Sequence, residues 1–348
     1  MKFLKIILII VAVFYKTQNV LSKENIFNVN NIELLKKSNI SNEDLANQAI
    51  KKGFEELKEK ILLKQDIKRL SQLKFSQIKN LVSYYQVILK DEENVFNDKV
   101  SYNIFFDKKK IHKLFNEFGI LYSEIIDKEI YLLPIIERNN QFYIYNQNFF
   151  YDKWNEIYPN NVIEFILPLE NIEVIQKVNQ ANDNFLELNL RNIFKEYAKK
   201  NLALVLIQIS KTNDQRIYLK TNILGKEINK NIKIKKLDSN DIDFNKKIIE
   251  EVSEEITNIV KSQNLIDIRT PSFLNVRLNV SKNSNLVELN SRIKNIESVE
   301  NVYVQDFNMN YMNLRIKYLG KLEKLISLLK IENINLQQIN DQWIIKTL

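Results

Sequence analysis

Apolar and polar positions follow two periods along this chain, and each change of period marks a new element. From Ser41 the stretch SNEDLANQAIKKGFEELKEKILLK sets Leu45, Ala49, Ile50, Phe54, Leu57, Ile61 and Leu62 on one face, the three-to-four spacing of an amphipathic helix. Ser41 with Asp44 three positions on reads as a capping box at its start. A shorter helix is predicted over residues 67–80. Two β-rich runs, 82–90 and 99–106, then flank a polar turn; Tyr85, Val87 and Leu89 alternate with Tyr84, Gln86 and Ile88, the pattern of a hairpin. Asp107 is placed to cap a helix over 108–118, and Gly119 to stop it. The first module thus reads α-α-β-β-α.

The middle of the chain alternates strands and helices. EIYLLPII is a buried strand, followed by an Arg-Asn-Asn turn and a second strand. NFFYDKWNEI is helical, and VIEFILPL is a further strand ended by Pro168. LPLENIEVIQKVNQANDNFL is less regular and reads as a surface lobe over a groove, whose Asn and Gln content admits a peptide or glycan contact. FLELNLRNIFKEYAKKN reads as an amphipathic helix presenting Leu186, Leu190, Ile193, Phe194 and Tyr197. A hairpin turning near Thr212–Gln215 and a long helix over 241–263 complete this part. Beyond Pro271 the order is β-α-β-β-α-β plus a final strand, with a hairpin turn at Asn340-Asp341. The expected fold class is α+β: small α/β modules in series over 23–120, 121–268 and 269–348, the last a ferredoxin-like β-α-β-β-α-β sandwich.

Composition narrows the chemistry. Of 348 residues only four are glycines, Gly53, Gly119, Gly225 and Gly320, all far apart. No G-x-G-x-x-G or Walker loop exists, which removes the usual nucleotide-binding enzymes. There is no cysteine and a single histidine, His112, so nucleophilic triads and zinc sites lack their ligands. No cofactor and no metal is expected. His112 falls at the edge of an apolar helix stripe, a surface or half-buried place. Glu250, Glu251, Glu254 and Glu255 share one helix and mark a solvated face rather than a catalytic pair. Trp154 and Trp343 read as core anchors.

The first 22 residues have the anatomy of a signal peptide. Lys2 and Lys5 precede the apolar run 6–15, and Val20 and Ser22 suit cleavage after Ser22; an uncleaved anchor at the inner membrane is the alternative. Export without cysteine fits a bacterial envelope compartment, the periplasm, better than a disulfide-forming secretory route. The formal charge of +8 includes Lys2, Lys5 and Lys16 of the leader, so the rest carries a mild basic excess. Lys108, Lys109 and Lys110 open a helix, where cations oppose the dipole. They are the candidate contact with an anionic surface, set against the lysine richness of an AT-rich coding sequence. The rings around them fall mostly on core faces, so no nucleic-acid partner is expected.

The stretches LANQAIKKGFEELKEKIL, SYYQVIL and VSYNIFFDKKKIHKLFNEFGI, in that order behind a leader, resemble the bacterial exported family called domain of unknown function 2066. In that family the second hairpin strand ends in a Phe-Asp pair and leads into a helix closing on glycine; Phe106, Asp107, Leu114 and Gly119 match those points, and Pro168 of LPLENIE resembles a later Pro-Leu-Asp step. The chain has LLKQD where the family has a Thr-Gly, and ILYSEI where it has a tryptophan. The resemblance implies an envelope protein and supplies no catalytic residues. The functional expectation is a non-catalytic periplasmic accessory or protein-interaction protein, with another envelope protein as partner and weak peripheral membrane association. A carboxylate-dependent hydrolase of an envelope polymer and a lysine-mediated binder of anionic lipid or polymer are the alternatives.

Overall fold

The computed structural model describes residues 25–36, 40–88, 99–125, 127–158, 162–180, 188–209, 214–235, 241–279, 286–296 and 298–347. The leader lies outside them. Helices and sheets are mixed along the chain, an α+β protein. Two compact units form. One takes the segments up to Glu59, Ile67–Leu121 and Ile266 onward, and the other takes Lys60–Asp66 and Tyr122–Leu265. The first and last sequence modules therefore share a unit.

In the first unit, β1 (Asn28–Leu35), β2 (Val82–Ile88) and β3 (Lys99–Phe106) make an antiparallel sheet in the order β1-β3-β2. The hairpin of β2 and β3 is the one read from the sequence. β1 is not, because a bulge hides its alternation: Asn31 takes φ of 61°, the register slips between Val29 and Ile32, and both of these residues are buried. Helix α1 (Asn42–Ile61) presses its apolar face on this sheet. The fit is tight at Gly53, where an added Cβ would lie 2.8 Å from Ile32 Cδ1 and 3.1 Å from Ile104 Cγ1. The single helix expected over 67–80 is instead two short ones, α2 (Lys64–Arg69) and α3 (Phe75–Leu81), divided by turns. Helix α4 (Lys108–Phe118) follows its signals. Asp107 accepts hydrogen bonds from the Lys109 and Lys110 amides, and Gly119 stops it with φ of 60°.

The second unit opens with the short strand β4 (Tyr122–Ser123). The long strand β5 (Glu129–Arg138) and β6 (Gln141–Tyr143) follow, then α5 (Phe149–Ile157), β7 (Glu164–Ile166), α6 (Ile172–Gln180) and α7 (Leu190–Ile193). A 3-10 turn at Lys195–Tyr197 leads to β8 (Asn201–Gln208), β9 (Asp214–Ile223), β10 (Lys226–Lys235) and α8 (Asp241–Gln263). The sheet order is β10-β9-β8-β5-β6, with β7 also on β5; β5 runs parallel to β8 and β7, and the other pairs are antiparallel. Every residue of β8 but the last is buried, as a central strand covered on both faces requires. On one face Ala203, Val205 and Ile207 meet Ile130 and Leu132 beneath α5 and α8, around the fully buried Trp154. On the other, Leu202, Leu204 and Leu206 meet Leu133 and Ile135 beneath α6 and α7.

Two expectations for this unit change. The segment after Pro168, read as irregular, carries α6, with Val174 and Val178 buried. The long helix expected over 185–201 is a single turn, α7, because Phe194 leaves helical geometry at φ −100°, ψ 48°; its expected beginning at 185–187 lies outside the described residues. Asn148 joins the layers. Fully buried, its Nδ2 donates to the carbonyls of Pro134 (2.9 Å), Tyr143 (3.2 Å) and Ile144 (2.7 Å), while its Oδ1 accepts from the amides of Phe150 (3.1 Å) and Tyr151 (3.2 Å). One side chain thus caps α5 and ties it to β5 and to the chain after β6.

After β11 (Leu265–Ile266) the chain completes the first unit. It forms β12 (Ser272–Asn279), α9 (Leu286–Lys294), β13 (Val299–Phe307), β14 (Tyr311–Tyr318), α10 (Leu322–Ile331), β15 (Ile334–Ile339) and β16 (Gln342–Thr347). The sheet order is β13-β14-β12-β16-β15, with β12 and β16 parallel. The final strand therefore lies beside β12 and leaves β15 at the edge. Among the described residues no helix is long and apolar enough to cross a membrane.

Candidate functional site

A cleft of about 390 Å³ opens in the second unit where α6 and α7 cover the sheet. Its floor is apolar, made by Leu133 of β5, Val174 of α6, and Ile193 and Phe194. The connection Pro168–Asn171 forms one wall and the 3-10 turn the other. Pro168 ends the β7 segment and Asn171 starts α6, its Oδ1 accepting from the Glu173 amide at 2.8 Å. That wall is pinned from below, because Tyr151 Oη donates to the Pro168 carbonyl at 2.7 Å. On this wall Leu169 is 84 % exposed, and Ile172, the first residue of α6, is 72 % exposed beyond it.

Glu173 crosses the mouth. Its carboxylate meets Lys195 Nζ at 2.9 Å and Lys177 Nζ at 3.7 Å, and Lys177 also donates to the Asn192 carbonyl at 2.9 Å. α6 is thus laced to the segment after it. The hydrogen bond from Lys195 holds the Glu173 carboxyl below its usual range, and the same bond holds the Lys195 amine above its own. At the base, Tyr145 packs edge-on against Tyr151 with ring centres 5.2 Å apart. Burial, and then the neighbouring Tyr151, push the Tyr145 hydroxyl up to about 12. Burial likewise raises Tyr151. Glu170 and Glu196 line the rim, with Asn146 Nδ2 at 3.5 Å from Glu170.

The sequence placed a lobe over a groove here; it missed α6 and the apolar floor, which comes from residues far apart in the chain. The candidate lysines lie elsewhere, in the first unit. Lys109 and Lys110 give their amides to Asp107, and Lys110 Nζ donates to the Asn80 carbonyl at 2.7 Å, closing the end of α3. Lys108 is half-buried beside His112 and depresses that imidazole. His112 stands edge-on to Phe27 at 5.6 Å, and burial first, then Lys108, lower it to about 4. The acidic face of α8 is paired with lysines: Glu254 with Lys64 at 2.7 Å, Glu251 with Lys247 at 3.7 Å, and Glu255 with Lys230. Among the described residues no three His, Asp or Glu side chains gather as metal ligands.

No family model and no curated protein matches the chain. A solved structure titled "Crystal structure of uncharacterized protein" aligns with 40 % of this chain and 95 % of that one, at 9 % identity and a TM-score of 0.18.

Proposed function

We propose that the protein is an exported, non-catalytic interaction protein of the bacterial envelope, and that the cleft walled by Leu169 receives an apolar segment of a partner protein. The observation that carries this reading is the solvent-facing Leu169 on the wall of a cleft with an apolar floor, with the exposed Ile172 three residues further along the chain. Two large apolar groups turned to water cost free energy that a partner's side chain recovers, at about 25 cal/mol per Å² covered. The shifted groups suit binding better than proton transfer. Tyr145 stays protonated, Glu173 stays ionised between lysines, and neither is tuned toward neutrality as a general acid or base would be. The leader supports export, and the resemblance to domain of unknown function 2066 supports the envelope. In this reading the C-terminal part is a ferredoxin-like module with one strand added beside β12.

Affinity purification of the full chain from cells tests the proposal, with Leu169→Asp and Ile172→Asp as controls. One stoichiometric envelope protein, lost from both variants while their melting temperature holds, is the expected result. The same set of proteins from wild type and variants would overturn it. A hydrolase remains the second reading because Glu170, Glu173 and Glu196 line one cleft. Changing each to Gln distinguishes the two, since binding to an apolar floor survives those changes and carboxylate chemistry does not.

A further inference from the structure

The N-terminal sheet ends in an unguarded strand. Sheets protect their edges with charges, bulges or brevity, because a row of free amides and carbonyls pairs with any strand that meets it. Among the described residues the other long edges carry such guards. β1 has Glu33 and the bulge at Asn31. β10 has four lysines and a glutamate, and β13 has Glu300, Asp306 and two slips of register. β15 is neutral, but Ile334 and Leu336 are buried under α10 and its exposed part leads with Gln337 and Gln338.

β2, VSYYQVI, is neutral throughout and is the outer strand in the order β1-β3-β2. Its one slip of register lies at its start, between Val82 and Tyr84. Every residue from Ser83 to Val87 is exposed, Tyr84 at 52 %, Tyr85 at 45 % and Val87 at 48 %. Pairing with β3 sets the direction of each side chain. Tyr84 lies opposite Phe105, and the two rings stack 4.2 Å apart on one face. Tyr85 and Val87 lie opposite Ile104 and Tyr102 on the other face, where β3 is buried and β2 is not. Tyr85 leans on Tyr102 with ring centres 6.3 Å apart. Both faces of the sheet therefore end in an apolar step at the same strand. Behind it, Val100–Phe106 of β3 also holds no charge.

We infer that a second copy of this chain adds to β2, strand to strand and antiparallel, about a two-fold axis at Tyr85. The absence of charge selects this occupant. A neutral strand on a neutral backing gives a charged peptide nothing to hold, whereas its own copy meets no like charge. The two-fold sets Tyr85 against the same residue of the second copy, an aromatic cross-strand pair, and sets Tyr84 against Gln86 and Ser83 against Val87. The contact is isologous and uses up the edge on both sides, so assembly stops at two. A strand pair of this length falls at the small end of specific interfaces, below about 1,200 Å², and a dissociation constant of about 1–10 μM is expected.

Sedimentation velocity of the full chain from about 1 to 100 μM tests this. A monomer–dimer equilibrium is expected. Tyr85→Lys sets two ammonium groups side by side and weakens the dimer about tenfold or more; Tyr85→Glu does the same, and an equal mixture of the two variants recovers a one-to-one dimer. Both variants melt with wild type, because the site is exposed. A benzophenone amino acid at Gln86 gives, in cells, an adduct of twice the chain mass. A wild type that stays monomeric at about 100 μM, an assembly that Tyr85→Lys leaves intact, a variant mixture that stays monomeric, an open series of larger species, or an adduct at Gln86 with a different protein each overturns the inference. The cleft reading stands or falls separately, because its residues belong to the other unit and Leu169→Asp leaves the dimer unchanged.

Discussion

Replacing Asn148 with alanine removes a cap and a cross-layer tie in one step. The two amides of α5 lose their acceptor, and the carbonyls of Pro134, Tyr143 and Ile144 lose their donor; three of these five hydrogen bonds are buried and two partly buried. The cap alone is worth about 1 kcal/mol. Each buried group left unpaired costs about 1–3 kcal/mol before relaxation. Because one amide group serves three carbonyls, and the freed helix amides can shift, a total of about 3–5 kcal/mol is expected. That is a large part of the roughly 5–15 kcal/mol stability of a domain. Urea unfolding followed by Trp154 emission in a Trp343→Phe background reads the second unit selectively, since Trp154 lies in its core and Trp343 belongs to the other unit. Asn148→Asp sharpens the test. One carboxylate oxygen keeps the cap, but the other faces three carbonyls, so the folded pKa rises above the ordinary value of about 3.9. The native state then holds a proton that the unfolded state releases, and stability falls as pH rises through that raised pKa. A loss below about 1 kcal/mol for the alanine variant, or an aspartate variant whose stability follows wild type between about pH 4 and 7, would refute the reasoning.

Further outcomes follow from single contacts. Gly53→Ala gains about 1 kcal/mol of helix propensity but forces Ile32 and Ile104 apart, at about 1–3 kcal/mol, so a net loss is expected. Ile32→Val, which removes the nearer atom, should make the alanine more tolerable, giving a favourable coupling in a double-mutant cycle. As the chain's single histidine, His112 gives one imidazole signal in proton NMR, which should titrate near 4 rather than 6.5. A depressed folded pKa means that its contribution is present above about pH 6.5 and is lost as pH falls toward 4, in a setting where Lys108 opposes and Glu300 favours protonation. A midpoint at the ordinary value would contradict the packing against Phe27. Mass spectrometry of the chain isolated from its own cells should find the mature N-terminus at Lys23; an intact leader would point to the anchored alternative.

What could be read from the sequence was whatever local physics punctuates. Asp107, the stripe of Ile111, Leu114 and Phe115, and Gly119 give α4 a start, a face and an end within its own residues. Helix α8 and the β-α-β-β-α order after Pro271 are equally self-announcing. The failures share a cause, since each depends on something distant. β1 conceals its period in a bulge at Asn31 that only pairing with β3 explains. β10, KEINKNIKIK, is an edge strand whose charges dilute its apolar positions, so its sequence carries no strand signal of its own. The final hairpin was visible at Asn340-Asp341, but not that β16 rather than β15 would sit against β12. The cleft followed the same rule. Its rim could be placed from the segment after Pro168, whereas its floor joins Leu133 to Phe194 across the sheet and has no local signature.

The most direct measurement is photo-crosslinking in living cells from a benzophenone amino acid placed at Leu169, compared with one at Lys226, the exposed first residue of β10. A discrete adduct with a single envelope protein from position 169, absent from position 226, is the predicted result. Identical adducts at both positions, or none at 169 with the chain folded and exported, would contradict the cleft as the place where this protein meets its partner.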